Sequence, residues 1–295
     1  MADDIVRITA STLSSGGVYA LVALGIAVLY SILRLVNFAH GELMVIGAYA
    51  MSVLSVSGVP FVVVAIAAPL AAMATALVLE RLVFRPARGA PDTTLLLMSF
   101  TVSVILQNVL LFSFGGTPRE IDFPGWMESS FSVGTAQVAW LDVATFGTVV
   151  VVLIALTLVL HRTVIGIALR AAAEDFEATR LMGIRANRVV VAAFAVSGAV
   201  AGIAAVFWFA KAGVIGPNEG TAPLLSGFIA AIIGGLGTLT GAVLGGFLLA
   251  FVEALFQTFL SGTYLPYANA FVFLVVIAVL LVRPGGLLNR DVVRV

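Results

Sequence analysis

The chain has 295 residues, of which 61% are hydrophobic and 10% are charged, and its formal net charge is zero. Soluble domains carry about 25% charged residues, so this composition argues against a soluble domain and predicts an integral membrane α-helical bundle. The balanced charge argues against a broad basic surface for nucleic acid, and the lack of cysteine excludes disulfides and thiol chemistry. The first ten residues lack a basic n-region, so we expect the first span to be retained.

Apolar runs close to the roughly 20 residues that a helix needs to cross a bilayer recur along the chain. We therefore predict an all-α polytopic membrane protein, a single transmembrane domain over residues 1–295, with eight or nine transmembrane helices. Glycines split the two spans after Pro223, which leaves the count open, and no clear internal repeat is visible. The predicted spans are 9–33, 42–57, 60–84, 94–114, 141–160, 191–210, 223–236, 240–259 and 266–282.

The arginines indicate the orientation of these spans. Eleven of the 15 basic residues fall in three segments, 81–88, 162–188 and the residues after the last span. Cytoplasmic loops carry an excess of Lys and Arg, so we assign these segments to the cytoplasm. Nine spans then place the N-terminus outside and the C-terminus inside. Glu80, which precedes Arg81 at this border, is expected to be an interfacial charge.

A polar stretch, "RLVNFAHGE" over residues 34–42, separates the first two spans. A charge inside a membrane bundle costs roughly 2.5–3.5 kcal/mol, so such residues need an explanation. Arg34 suits a helix C-terminus, and Asn37 and Glu42 suit the start of the next helix. The alternative is that Asn37, His40 and Glu42 hold a helix break near a cytoplasmic gate.

Two other patterns occur inside spans. Ser103 and Gln107 share a helix face, and with Asn108 they serve either as interhelical hydrogen-bond partners or as lining of a translocation pathway. Gly237, Gly241 and Gly245 recur every four residues, which favours close helix packing. The alternative for these glycines is a locally unwound segment that lines a pathway.

The segment at about 161–190 is too long for a simple hairpin turn. Ala171, Glu174, Ala178 and Leu181 fall at helical spacing among good helix formers, and Gly183 is suited to end that helix. This pattern predicts a short cytoplasmic helix, which either lies on the membrane surface or docks onto a soluble partner.

The stretch "EATRLMGI", from Glu177 to Ile184, is similar to the E-A-A-x-x-x-G signature of ABC importer permeases, with Thr179 in place of the second alanine. "VNFAHGELMVIGAYA" (36–50), "IIGGLGTLTGAVLGG" (232–246) and "VRPGGLL" (282–288) resemble the permeases for branched-chain amino acids, specifically the first, shorter one of two homologous permeases. The resemblance implies the type II importer permease fold and a coupling helix that contacts the ATPase. The residues that it assigns to this coupling are Arg170, Glu174, Asp175, Glu177, Ala178, Gly183 and Ile184.

The resemblance also implies partners and a location. It predicts a second homologous permease in a heterodimer, two ATPase subunits and an extracytoplasmic solute-binding protein, all at the bilayer of a bacterial inner membrane. ATP and Mg²⁺ would be held by the ATPases and no cofactor or metal by this chain, which has no G-x-x-x-x-G-K-[ST] loop around its one lysine. Candidate contacts to the binding protein lie in loops 115–140 and 211–222: Arg119, Glu120, Asp122, Lys211 and Glu219.

The solute and the energy source have alternatives at this point. The predicted cargo is a branched-chain or similar hydrophobic amino acid, whereas related permeases carry urea, short amides and other small solutes. A secondary transporter driven by an ion gradient is the rival from another class. It would need intramembrane ionisable residues, for which only Glu253, Glu42 and His40 are available.

Overall fold

The computed structural model describes residues 2–56, 58–133, 136–174, 176–260, 262, 264–283 and 285–288. Its secondary structure is almost entirely helical, with four short strands in the connections, which confirms the predicted all-α class. The helices are α1 Ala2–Leu33, α2 His40–Ser55, α3 Phe61–Leu79, α4 Asp92–Phe114, α5 Gly125–Glu128, α6 Trp140–Arg162, α7 Val164–Glu174, α8 Phe176–Leu181, α9 Ala186–Ala212, α10 Thr221–Gly234, α11 Leu239–Phe259 and α12 Ala268–Val282. The strands are β1 Arg119–Glu120, β2 Ser130–Val133, β3 Ala136–Ala139 and β4 Val214–Ile215.

A helix lies at each of the nine predicted spans, but the helices differ in length. Within the described residues, six helices are long and apolar enough to cross a membrane: α1, α3 with its continuation to Phe84, α4, α6, α9 and α11. The helices α2, α10 and α12 have 16, 14 and 15 residues. At 1.5 Å per residue, α2 and α10 reach about 24 and 21 Å, less than the roughly 30 Å hydrocarbon core.

The bundle has two distinct ends. At one end, which we call the strand end, β1 pairs antiparallel with β4, and Lys211 at the end of α9 donates hydrogen bonds to the hydroxyls of Ser14 and Ser15. At the other, which we call the basic end, Arg88 contacts Asn187 at the start of α9. The helices α1 and α9 are therefore antiparallel.

The turns and the packing show an inverted repeat that relates α1–α3 to α9–α11, although no clear repeat is visible in the sequence. After α1, Arg34 has φ +53° and its N–H donates to the Tyr30 carbonyl at 2.9 Å. After α9, Gly213 has φ +75° and its N–H donates to the Phe209 carbonyl at 2.9 Å. Both helices thus end on a left-handed residue, although only one of these residues is glycine, the usual choice there.

The equivalence continues with the same separation in sequence, since Arg34 and Gly213 are 179 residues apart and so are His40 and Glu219. The His40 N–H donates to the Asn37 carbonyl at 3.1 Å, and the Glu219 N–H donates to the Gly216 carbonyl at 3.2 Å. The helix α1 packs chiefly against α11, and α9 packs chiefly against α3, as an inverted pair requires. Because equivalent positions carry unlike residues, such as His40 and Glu219, the repeat is not visible in the sequence.

The two short helices α2 and α10 meet at their N-termini. A Cβ on Gly41 would lie 2.2 Å from the carbonyl oxygen of Gly220, and a Cβ on Gly220 would lie 2.8 Å from the carbonyl carbon of Gly41. From this contact, which we call the glycine junction, α2 runs toward the strand end and α10 toward the basic end. Residues 34–39 and 213–220 bring the chain back into the bundle to reach the junction, so neither helix has to span the membrane alone.

The glycines of α11 pack closely against two neighbouring helices, α10 and α1. A Cβ on Gly245 would lie 2.0 Å from the Ala230 carbonyl oxygen of α10, and one on Gly246 would lie 2.5 Å from the Ala20 nitrogen of α1. Gly241 likewise faces Gly234 of α10. Gly237 does not belong to this packing, because it lies in the turn before α11 with φ +92°, a conformation that only glycine adopts without strain.

Candidate functional site

The polar stretch of residues 34–42 lies inside the bundle. Residues 34–39 are not helical, so the predicted helix break exists, and the Asn37 Oδ1 accepts a hydrogen bond from the Ala39 N–H at 3.1 Å. Ser99 on α4 holds this segment in place. Its hydroxyl accepts from the Phe38 N–H at 3.2 Å and lies 3.3 Å from the Val36 carbonyl oxygen. A role of the break in gating remains a prediction.

His40 points from the start of α2 toward α1 and α9. Its side chain is 1% exposed, and its Nδ1 lies 3.5 Å from the Ser197 Oγ, which donates to the Gly25 carbonyl at 2.8 Å. Gly25 leaves the space for the imidazole, since a Cβ there would lie 2.7 Å from the His40 Cε1. Sequence reasoning missed Ser197 and Gly25, because neither residue carries a charge that would have marked it.

Glu42 points in a different direction, toward α4. Its Oε1 accepts hydrogen bonds from the Gln107 amide at 2.8 Å and from the Ser103 hydroxyl at 3.2 Å, and the residue is 1% exposed. The Glu42 Oε2, the His40 Nε2 and the Asn37 Nδ2 are buried without a hydrogen-bond partner in the described part of the chain. Such atoms are uncommon in folded proteins, and three of them within six residues mark the region as a candidate site.

Asn108 is separate from this cluster. Its amide donates to the Val104 carbonyl of its own helix at 2.8 Å, and both residues are exposed on the outer face of α4. The structure thus brings Ser103 and Gln107 to the site and leaves Asn108 outside it. One step along the helix turns a side chain by 100°, which is enough to separate neighbours in sequence.

The coupling segment carries helices α7 and α8, which lie on either side of Asp175. Asp175 itself lies outside the described residues, as does the side chain of Glu177. Gly183 has φ +82° and follows α8, in agreement with its predicted place at a helix end. Leu181 and Met182 are 88% and 82% exposed, so two large apolar side chains protrude from this segment.

The remaining residues of the coupling prediction lie around these helices. Arg170 and Glu174 of α7 line a cavity of about 450 Å³ at the basic end, together with Arg34. Ala178 in α8 is exposed, and Ile184 in the turn before α9 is half-buried. The coupling segment therefore borders the C-terminus of α1 as well as the start of α9.

Glu80 is not the interfacial charge that was expected. It is 2% exposed at the start of a π-helical turn, Glu80–Phe84, and Arg88 bonds to both its carboxylate and the side chain of Asn187. This bridge joins the end of α3 to the start of α9, directly after the coupling segment.

Replacing Arg88 with alanine is expected to destabilise the protein by about 3–5 kcal/mol, because the buried Glu80 carboxylate loses its cation. Thermal unfolding in detergent measures the effect. The exposed neighbour Arg81 provides the control, since its replacement with alanine should change stability by less than about 0.5 kcal/mol. Equal melting temperatures for the two variants would contradict the structural role of the bridge.

Most of the predicted docking residues lie together at the strand end. Arg119 and Glu120 form β1, opposite Ile215 and Val214 of β4, and the Arg119 guanidinium lies 5.1 Å from the Phe114 ring centre. Asp122 and Lys211 are exposed close to these strands in the chain. A role in docking remains a prediction.

Glu219 does not share this surface. It directly precedes Gly220 and therefore lies at the glycine junction, roughly 20 Å along α2 from the strand end of that helix. Its side chain is exposed there. The junction thus carries two carboxylates, of which Glu42 is buried and Glu219 is accessible.

Glu253, the third residue considered for an ion relay, belongs to a separate cluster. It accepts hydrogen bonds from the Tyr19 hydroxyl at 2.7 Å and from the Gln257 amide at 3.3 Å. The hydrogen bonds of the described residues do not link this cluster to Glu42 or His40. In the same part of the chain, no group of three or more metal-binding side chains is present.

The sequence matches one family model over residues 8–280, and that family is described as the permease component of branched-chain amino acid transport systems. The chain belongs to this family. It is 34% identical to the high-affinity branched-chain amino acid transport permease BraD of Pseudomonas aeruginosa, over 94% of both chains. It is 32% identical to the corresponding permease LivH of Escherichia coli, over 93% of this chain and 92% of that protein.

The relationship extends to an archaeon. A probable branched-chain amino acid permease of Methanocaldococcus jannaschii is 29% identical over 92% of this chain. No solved structure matches. Because these matches span almost the whole chain, the family membership applies to the complete bundle, and the protein is a multi-pass membrane protein of the permease class.

Proposed function

We propose that the chain is the membrane subunit of an ATP-driven ABC importer for branched-chain or similar hydrophobic amino acids, with a type II importer permease fold. The family match over residues 8–280 carries this proposal. The chain itself performs no catalysis. It supplies half of a translocation pathway in a bacterial inner membrane, and a second, homologous permease supplies the other half.

The energy comes from two ATPase subunits that bind at the basic end and hold the ATP and Mg²⁺. The exposed Leu181 and Met182 are suited to an apolar groove on the ATPase. Motion of the coupling segment then reaches the bundle by two routes: through Asn187 and Arg88 to Glu80 at the end of α3, and through α7 to the C-terminus of α1. A solute-binding protein delivers the amino acid at the strand end.

The pathway runs along the open face of α4 and past the glycine junction. The helices α2 and α10 point in opposite directions from this junction, so a shift there moves one half-helix relative to the other. This arrangement is suited to a pathway that opens first to one side of the membrane and then to the other. The ion-driven alternative lacks support, because Glu253 is not connected to the junction through the described residues.

Reconstitution tests this function. The tagged native protein, purified in mild detergent, is expected to bring with it a second permease and an ATPase. In liposomes, this complex should take up leucine only when ATP and the leucine-loaded binding protein are both present. Uptake by the chain alone, without ATP, would contradict the proposal.

A further inference from the structure

Glu42 does not serve as a cap of its own helix. The start of α2 has no side-chain cap, and both hydrogen bonds of the Glu42 carboxylate come from side chains of α4. The equivalent position of the inverted repeat is Thr221, so the repeat does not require a carboxylate at this particular position. The charge of Glu42 is therefore not explained by the start of the half-helix.

The Glu42 carboxylate also has no cationic partner in the part of the chain that the structure describes. Among the described residues, no lysine or arginine nitrogen lies within 4 Å of it, whereas the buried Glu80 has Arg88. Its Oε1 accepts two neutral hydrogen bonds and its Oε2 accepts none. A buried carboxylate normally has a positively charged partner or several donors, so Glu42 retains the capacity to bind one more strong donor.

Gln107 separates this carboxylate from the open face of α4. Gln107 is half-buried, and the next residue, Asn108, is exposed on the outer face, as is Val104 one turn earlier. The Gln107 Nε2 lies 2.8 Å from the Glu42 Oε1, an ordinary distance for a nitrogen donor on an oxygen acceptor. A rotation of the Gln107 side chain would open Glu42 to a solute that moves along α4.

From this geometry we infer that Glu42 receives the α-ammonium group of the amino acid in transit, and that the Gln107 amide occupies the ammonium position when no solute is present. The inference rests on the proposed function, and it adds the chemical group that the pathway recognises. An ammonium brings a full charge and three donors to the carboxylate, whereas the Gln107 amide is neutral. The exchange therefore favours the amino acid.

This site would distinguish amino acids from neutral solutes of similar size. Urea and short amides carry N–H donors without a charge, so they offer the buried carboxylate no more than Gln107 already does. A site that is built around a charged partner rejects analogues that lack the charge, because the buried group is then left without compensation. Glu42 and Gln107 thus favour ammonium-bearing solutes within the pathway.

Glu42→Gln tests the inference, because this change keeps the shape and both accepted hydrogen bonds while it removes the charge. The variant is made in the complete complex with the second permease, the ATPases and the binding protein. We expect a normal melting temperature and normal stimulation of ATP hydrolysis by leucine-loaded binding protein. Leucine uptake is expected to fall about tenfold or more, the effect of losing one charge-assisted hydrogen bond.

Glu219→Gln is the matched control, since it removes an exposed carboxylate from the same junction. The inference requires that this variant retain leucine uptake within about twofold of the native complex. Glu42→Gln uptake within twofold of native would overturn the inference, and so would an equal loss in both variants, because the general negative potential would then account for it.

If the Glu42→Gln complex fails to assemble, the Gln107→Ala variant tests the inference instead. This variant keeps the carboxylate and removes the amide that competes with the ammonium, so leucine should raise the melting temperature of the detergent-solubilised complex more than it does for the native complex. Loss of this leucine-dependent stabilisation in Gln107→Ala would overturn the inference, since the link between α2 and α4 would then be the essential feature. Absence of ATP-dependent leucine uptake by the native complex would instead refute the proposed function. Failure of the Glu42 inference and failure of the proposed function therefore give different results.

Discussion

Replacing both Leu181 and Met182 with aspartate is expected to weaken binding of the ATPase subunit about 100-fold or more and to abolish transport. The two side chains are 88% and 82% exposed and stand next to each other at the end of α8. If they fill an apolar groove on the ATPase, the two new carboxylates would lose their hydration there without gaining a partner. Substitution of a buried hot-spot residue at an interface costs about 2 kcal/mol or more of binding free energy. Co-purification of the ATPase and its titration onto the detergent-solubilised permease measure the effect.

Val56→Asp provides the control for this pair. Val56 is 87% exposed, like Leu181, but it follows α2 at the strand end. The substitution therefore adds an equivalent charge at the opposite end of the bundle, and ATPase binding should stay within about threefold of native. If the Leu181 and Met182 variant binds the ATPase as tightly as the control does, the ATPase contacts some other surface.

Replacing Gly41 with alanine is expected to separate the starts of α2 and α10. The new Cβ would lie 2.2 Å from the Gly220 carbonyl oxygen, and that backbone atom cannot rotate away as a side chain could. Overpacking of a tight contact costs typically 1–3 kcal/mol, and here the displaced groups are two helix ends. We expect a lower melting temperature in detergent and loss of leucine uptake.

Gly147→Ala shows what the same chemical change does without a clash. Gly147 lies in α6, and a Cβ there would meet no atom within 4 Å. Alanine stabilises a helix interior by about 0.5–1 kcal/mol relative to glycine, so this variant should be native-like or slightly more stable. A native melting temperature for Gly41→Ala would show that the glycine junction is looser than its geometry indicates.

Local features of the sequence were sufficient to predict where the helices lie. Each predicted span corresponds to a helix, because a run of apolar residues in a bilayer must satisfy its backbone hydrogen bonds internally. The left-handed turn at Gly183 was predictable for a similar reason, since glycine adopts positive φ at little cost. The family motifs were also readable locally, and the family match over residues 8–280 confirms that resemblance.

Sequence position alone did not show where several of the named residues lie. Gly237 shares a four-residue period with Gly241 and Gly245, but it lies in a turn, because a period shows only which residues would share a face if the helix extended that far. Glu80 was expected at the membrane border, because the sequence does not show that Arg88, which follows the end of the helix, turns back to pair with it. Glu219 lies in a loop by sequence, but residues 213–220 carry it into the bundle.

The sequence by itself determined the membrane class, the positions of the helices, the excess of arginine at one end and the family. Only the tertiary structure decided the inverted repeat, the glycine junction and the pairing of Glu42 with Gln107. Hydrophobicity and helix propensity act within a few turns of one helix, whereas these contacts join segments that are distant in the chain. Between helices in lipid, van der Waals packing and a few polar contacts select the partners, and these depend on shape in three dimensions.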